Sequence, residues 1–201
     1  MYDDGDRVAI DVQRAATLFQ KACALNEPLG CMRWGYALEY GRGISVDFPQ
    51  AVTAYTRACE LANALGCSNL GVMFQYGKGV ARDEAKALAL YTTACAKRVG
   101  AGCRNLGVIY LEGVTLPHDQ PRAVAAFDQG CRINNPESCN NQGYLVEHGL
   151  GTARKVDTAR RLYAKACARG LKVGCDNERA LNGERSGGDG RSPVPRPAGS
   201  D

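Results

Sequence analysis

The sequence predicts an all-helical solenoid made from a recurring pair of helices, and three observations carry that expectation. The ten cysteines stand at 23 and 31, 59 and 67, 95 and 103, 131 and 139, and 167 and 175, so each pair spans eight positions and each begins 36 positions after the last. Small and aromatic residues keep the same register, as in Ala15, Ala51, Ala87, Ala123 and Ala159, and in Phe19, Tyr55, Tyr91, Phe127 and Tyr163. Within a unit, apolar residues recur at the period of a helix. Self-similarity at a fixed period of about 20–50 residues marks supersecondary units that bury their apolar faces only by stacking.

The first helix of the unit is read from Ala87, Leu90, Tyr91 and Ala94, which fall at i, i+3, i+4 and i+7 and make one apolar face. Asp83 lies just before it, with Asp11, Asp47 and Asp119 in the same place, and an aspartate there accepts from the free amides of the first turn. The alanine face continues through Ala22, Ala58, Ala94, Gly130 and Ala166, each directly before a cysteine. The second helix is read from Cys67, Leu70, Gly71 and Phe74. Glycine inside a helix costs about 1 kcal/mol relative to alanine. It recurs as Gly35, Gly71, Gly107 and Gly143, which predicts a close approach to the alanine-rich stripe of a neighbouring helix. Trp34, aligned with Leu70 and Leu106, is expected in the core, as are Tyr55, Tyr91 and Tyr163.

Two kinds of turn join the helices. Gly41-Arg42-Gly43, Gly77-Lys78-Gly79 and Gly149-Leu150-Gly151 follow a helix, where glycine supplies the left-handed cap. They are not nucleotide loops, because no third glycine follows at the required spacing and no strand precedes them. In the fourth unit Thr115 and Pro117 interrupt the pattern, so that loop is expected to take another path. The second kind of turn lies between the cysteines, at Asn26-Glu27-Pro28, Asn134-Asn135-Pro136 and Arg169-Gly170.

On one continuous helix, cysteines eight apart would sit about 12 Å from each other, whereas a disulfide needs Cα atoms within about 7 Å. If they bond, the chain must turn between them, and the bond staples two antiparallel helices for about 2–3 kcal/mol on the chain-entropy account. An even count at fixed spacing favours disulfides and an oxidising compartment. Metal binding and buried reduced thiols are the rival readings. Zinc favours closer cysteines in fours, and the redox motif C-x-x-C is absent.

Composition sets wide limits. Of 201 residues, 45% are hydrophobic and 23% charged, with a net charge of +4, which is too small to argue for nucleic acid or an anionic membrane. No apolar run approaches the length of about 20 residues that spans a bilayer.

The run Gly66-Cys67-Ser68-Asn69-Leu70-Gly71-Val72-Met73-Phe74-Gln75-Tyr76-Gly77-Lys78-Gly79-Val80, followed by Ala87 to Tyr91-Thr92-Thr93-Ala94-Cys95, resembles a Sel1-like repeat. With a cysteine pair in every unit, the chain is similar to the secreted cysteine-rich Sel1-like proteins of the Hcp type. The resemblance covers roughly residues 2–182. It implies a right-handed α/α superhelix of antiparallel helix pairs related to the TPR fold, with disulfides Cys23–Cys31, Cys59–Cys67, Cys95–Cys103, Cys131–Cys139 and Cys167–Cys175. It also implies an adaptor that binds a protein or peptide in its curved groove. Some cysteine-rich members are described as penicillin-binding proteins with weak β-lactamase activity, which is the alternative function. A mitochondrial assembly factor for cytochrome oxidase shares the architecture with less regular repeats.

The chain is expected to divide into residues 1–11, the end of a truncated preceding repeat, 12–182, the solenoid, and 183–201, a disordered Gly/Pro/Ser-rich tail. Tyr2–Asp11 aligns with Leu38–Asp47, so upstream sequence, any signal peptide included, is expected to be missing. An exported bacterial protein, periplasmic or extracellular, is the expected setting. Near the other end Arg179 takes the place of the aligned glycine, as in a polar cap.

Enzyme chemistry finds no foothold in the sequence. The serine β-lactamase motifs S-x-x-K, S-D-N and K-T-G do not occur, and His118 and His148 are too far apart in sequence to make a metal cluster. No catalytic residue, cofactor or metal is expected, nor are nucleic-acid binding or membrane insertion; the oligomeric state is not read. His148 is read as a solvated residue at a helix C-terminus, favoured by the helix dipole. The candidate site is a stripe along the second helices: Arg33, Ala37 and Tyr40; Asn69, Met73 and Tyr76; Asn105, Ile109 and Glu112; Asn141, Leu145 and His148. Asn177 extends the first row. Asparagine offers both donor and acceptor, suited to an extended peptide backbone, although an asparagine near a helix start also bonds its own turn.

Overall fold

A computed structural model describes residues 11–113 and 117–183. The expected truncated repeat, except Asp11, the Thr115 loop and the tail beyond Gly183 lie outside them. The described residues form ten α-helices and no strand: α1 (Val12–Ala24), α2 (Pro28–Tyr40), α3 (Phe48–Glu60), α4 (Ala64–Tyr76), α5 (Glu84–Ala96), α6 (Gly100–Glu112), α7 (Gln120–Arg132), α8 (Pro136–His148), α9 (Val156–Cys167) and α10 (Lys172–Leu181). Each helix packs on the next in chain order. The second helices α2, α4, α6, α8 and α10 also touch one another along the whole row, whereas of the first helices only α5 and α7 do so to a comparable degree. The second helices therefore line the inner side of the curve.

Local chemistry sets the helix ends. The amides of Arg14, Gln50, Lys86 and Arg122 donate to the aspartates three residues earlier, at 2.8–2.9 Å. Lys155 stands in that place before α9 and gives no side-chain cap. Gly41, Gly77 and Gly149 close the second helices in the left-handed region, but Gly113 has φ −52°, so the α6–α7 connection departs from the others at its first residue.

Between the cysteines every turn has the same form. Asn26, Ala62, Arg98, Asn134 and Gly170 take φ of 63–84°, and the following amide donates back to the carbonyl of the residue before the first cysteine, as Glu27 does to Ala22 at 3.0 Å. A left-handed alanine or arginine costs on the order of 1 kcal/mol. The turn brings the paired Cα atoms to 4.2–4.5 Å, and all five disulfides form between cysteines eight apart.

Missing side chains let the second helices approach their neighbours closely. Towards the disulfide partner, Gly30, Gly66, Gly102 and Gly174 meet Ala22, Ala58, Ala94 and Ala166, where an added Cβ would fall 2.5–2.7 Å from the alanine methyl. In the fourth pair the sizes are exchanged. Gly130 lies on the first helix and Ser138 on the second, and a Cβ at 130 would be 2.2 Å from the serine hydroxyl. Towards the next unit, Gly35, Gly71, Gly107 and Gly143 seat the rings of Tyr55, Tyr91, Phe127 and Tyr163, with only 2.4–2.8 Å for a Cβ. The recurrent mid-helix glycine thus accommodates an aromatic ring, not the alanine stripe expected from sequence. Trp34 and the three tyrosines are core residues.

The buried hydroxyls are satisfied across the same contact. Tyr55 donates to Glu39 at 2.9 Å, Tyr91 to Gln75 at 2.7 Å and Tyr163 to Glu147 at 2.8 Å. Burial drives the hydroxyl pKa values of Tyr55 and Tyr91 upward, so both stay protonated donors. Where the aromatic is Phe127, the residue at the acceptor position is Leu111. A buried hydroxyl and a buried acceptor are kept or lost together, because stranding one costs about 1–3 kcal/mol.

These compensated pairs make two expectations. Gly130→Ala should lower unfolding free energy in urea by about 1–3 kcal/mol through overpacking, and adding Ser138→Gly should recover most of it. Tyr55→Phe should cost about 1–3 kcal/mol by removing the hydroxyl that bonds Glu39. Adding Glu39→Leu, which copies the Leu111–Phe127 pair, should recover only part of that loss in the same titration, because it also removes the carboxylate that pairs with Lys78 at 3.5 Å.

Candidate functional site

The stripe proposed from sequence does not emerge on one surface. Its first row turns inward. Asn69 is half-buried and donates to the Tyr55 hydroxyl, completing a polar chain from Glu39. Asn105 is buried and accepts from Arg104 at 3.0 Å. Asn141 is 2% exposed, and its Nδ2 has no partner because the hydroxyl and carboxylate of other units are replaced here by Phe127 and Leu111. Asn177 donates to Asn140 at 2.9 Å. The asparagines pin neighbouring helices and do not form an open row of amides. The middle row, Ala37, Met73, Ile109 and Leu145, is core.

Surface remains at the ends of the stripe. Arg33 is exposed, with its guanidinium 5.7 Å from the Phe19 ring centroid. Tyr40 is 47% exposed and Tyr76 37%. Burial, with Glu112 adding to it, pushes the Tyr76 hydroxyl up to about 12. Burial also raises the pKa of half-buried Glu112, while Arg104 opposes that rise, so Tyr76, Arg104 and Glu112 make one polar cluster on α4 and α6. His148 is exposed and its Nδ1 lies 2.9 Å from the Tyr144 carbonyl, in hydrogen-bond contact.

Sequence reasoning missed Tyr36, which packs on Tyr40 at 4.6 Å between centroids just as Tyr144 packs on His148 at 4.3 Å. The i, i+4 aromatic spacing was the available signal. Around Tyr36 and Arg33 lies a cleft of about 630 Å³, lined by Val12, Ala15 and Phe19 of α1, Met32 and Ala37 of α2, Arg42, and Leu65 and Asn69 of α4. Its walls are mainly apolar, its charged groups are both arginines, and the large exposed hydrophobic residues among the described ones all fall between Val12 and Tyr76. Such a surface suits non-covalent contact with a partner. Among the described residues no group of three or more His, Cys, Asp or Glu is placed to hold a metal, and no helix is long and apolar enough to cross a membrane.

Comparison with known proteins agrees with this architecture. The Sel1 repeat family model matches residues 1–27, 28–63, 64–98, 100–125 and 136–171. The matches begin or end between the two cysteines of a pair, so each disulfide spans a repeat boundary and does not close a single repeat, as the sequence framing had it. A Sel1 repeat protein from Oxalobacter formigenes superposes with a TM-score of 0.75 at 23% identity, over 86% of this chain and 72% of that one. A protective antigen of uropathogenic Escherichia coli with an SLR fold gives a TM-score of 0.75 at 25% identity, over 83% of this chain but 36% of its own length. Cysteine rich protein B of Helicobacter pylori is 23% identical over 86% of this chain and 98% of its own, with a TM-score of 0.32 that carries no structural argument. No curated protein matches. With five matched repeats, ten paired helices and a disulfide at every junction, the chain belongs to the Sel1 repeat family.

Proposed function

We propose that this chain is a non-enzymatic scaffold that binds a protein or peptide partner on the inner face of its second helices. Sel1 repeat proteins generally mediate protein interactions, and the fold offers a rigid, disulfide-pinned surface for that purpose. The observation that carries the reading is the apolar, arginine-rimmed cleft at Tyr36, together with exposed Tyr40 and Tyr76 at the ends of the same second helices, α2 and α4. Aromatic and arginine side chains dominate binding energy at protein interfaces, because they combine large apolar area with polar tips. In this reading Arg33, Tyr40, Asn69 and Tyr76 form the contact surface, with Glu112 and His148 extending it. Met73, Ile109, Leu145, Asn105 and Asn141 hold the helices that present it. No observation favours the β-lactam alternative. The solenoid is taken as residues 12–182, flanked by the segments 1–11 and 183–201.

Five disulfides fit an oxidising compartment, and we place the protein outside the bacterial cytoplasm, in the periplasm or beyond.

A photo-crosslinking residue placed at Tyr40 or Tyr76 in the producing cell tests the binding face, with the exposed outer position Thr92 as control. Discrete adducts from both inner positions and none from Thr92 are expected. Adducts from Thr92 alone, or equally from all three, would overturn the reading.

A further inference from the structure

We infer that the outer side of the fifth helix pair adsorbs to an anionic lipid bilayer, held there by lysine and arginine side chains spread along α9 and its two flanking turns. This contact is separate from the inner face proposed above for a protein partner, and either can fail without the other.

The charge of the chain is unevenly distributed. Residues 150–182 carry eight lysines and arginines against three acids, whereas the whole chain has a net charge of only +4. The rest of the chain therefore carries no positive surplus. Within the unit Arg160 pairs with Asp157 at 2.9 Å and Arg179 with Asp176 at 3.4 Å. Arg154, Lys155, Arg161, Lys165, Arg169 and Lys172 make no ion pair among the described residues. Where four of these six bond, the acceptors are uncharged. Arg154 donates to the Glu147 carbonyl, Arg161 to the Thr158 hydroxyl, Lys165 to the Cys131 carbonyl and Arg169 to the Asn134 side chain. Five of the six are exposed and Lys165 is half-buried. They run the length of a 12-residue helix, about 18 Å.

This charge is set against the local physics of the helix. Asp11, Asp47, Asp83 and Asp119 cap the other first helices, whereas Lys155 gives up the cap bond and puts a cation at the positive end of the helix dipole. Arg161, Lys165 and Arg169 then follow at four-residue spacing, where like charges repel. The positions that repeat Arg161 are Thr17, Thr53, Ala89 and Ala125, all exposed and all uncharged. The outward aspect of this position is thus common to every unit, and the charge is peculiar to the fifth. Local rules are broken in this way where a surface serves a ligand.

The chemistry of the patch selects the ligand. The large exposed hydrophobic residues among the described ones all fall between Val12 and Tyr76, so none lies beside this row. A protein interface needs an apolar or aromatic centre, and a single-stranded nucleic acid needs rings on which its bases stack. An anionic bilayer needs neither, because each lysine or arginine near its surface is drawn independently by the surface potential.

The full-length protein is floated with vesicles of equal parts phosphatidylglycerol and phosphatidylcholine, and with vesicles of phosphatidylcholine alone. Binding to the anionic vesicles only, lost at about 0.5 M salt, is expected. Lys155→Asp with Arg161→Thr copies Asp47 and Thr53 of α3 and should weaken vesicle binding about a hundredfold. The aspartate restores the helix cap, so this variant should melt no lower than the parent, which separates lost binding from lost folding. Arg14→Asp with Lys21→Thr removes the same charge from exposed positions of α1 and should leave binding within about twofold. No binding to the anionic vesicles, equal binding to both kinds, or equal loss in the two double variants would each overturn the inference, the last because adsorption would then follow net charge alone. So would tighter binding to duplex DNA or to polyglutamate than to the vesicles, which would assign the basic row to another polyanion.

Discussion

The structure depends on a side chain that is absent. Two helices approach only as closely as the atoms between them allow, and glycines 35, 71, 107 and 143 remove those atoms where the next aromatic ring must lie. The ring is thereby fully buried. A buried tyrosine then needs an acceptor, and the residue one turn beyond the glycine supplies it. Glycine seat, ring and acceptor form one contact repeated along the array, and this contact holds each stapled pair against the next. The helix propensity lost at each glycine, about 1 kcal/mol, is offset by burial of a whole aromatic side chain, worth about 1.5–3 kcal/mol.

The second constraint is local. A left-handed residue and a back-bond from the next amide fold the chain so tightly that the paired cysteines meet, while alanine against glycine lets the two helices touch there. Because every disulfide closes only its own short loop, each contributes to a single junction and none ties distant units together. Stability in such an array is close to a sum over units and their neighbours. The fourth junction obeys the same rule with the sizes of its two small residues exchanged, and the Phe127–Leu111 contact shows the polar pair deleted as a unit.

Much of this was legible in the sequence. The period fixed the number of helix pairs, the aspartates fixed where first helices begin, and the Gly-x-Gly strings fixed where second helices end. The inner row was not legible as surface. Spacing locates a residue on a helix face but does not say how many neighbouring helices lie against that face. Second helices are flanked by a first helix on either side and by other second helices along the row, so Met73, Ile109, Leu145 and Asn141 are buried beside the stripe already taken as core. Asn69 was similarly hidden, because its hydroxyl partner Tyr55 comes from another helix. The left-handed Ala62 and Arg98 carry no compositional mark, unlike Asn26 and Asn134, and were not among the turns read from the sequence. The cleft escaped because it depends on how far Ala15 and Phe19 are buried, which differs from their repeats on the other first helices, and periodicity emphasises what units share.

The central claim is that the protein is a row of equivalent junctions, each closed by its own disulfide. Proteolytic mapping without reductant, on protein from its native host, tests this most directly. The account predicts no free thiol among the ten cysteines and only links between cysteines eight apart. Free thiols in the native protein, or links such as Cys31 to Cys59 across the 28-residue interval between pairs, would contradict it.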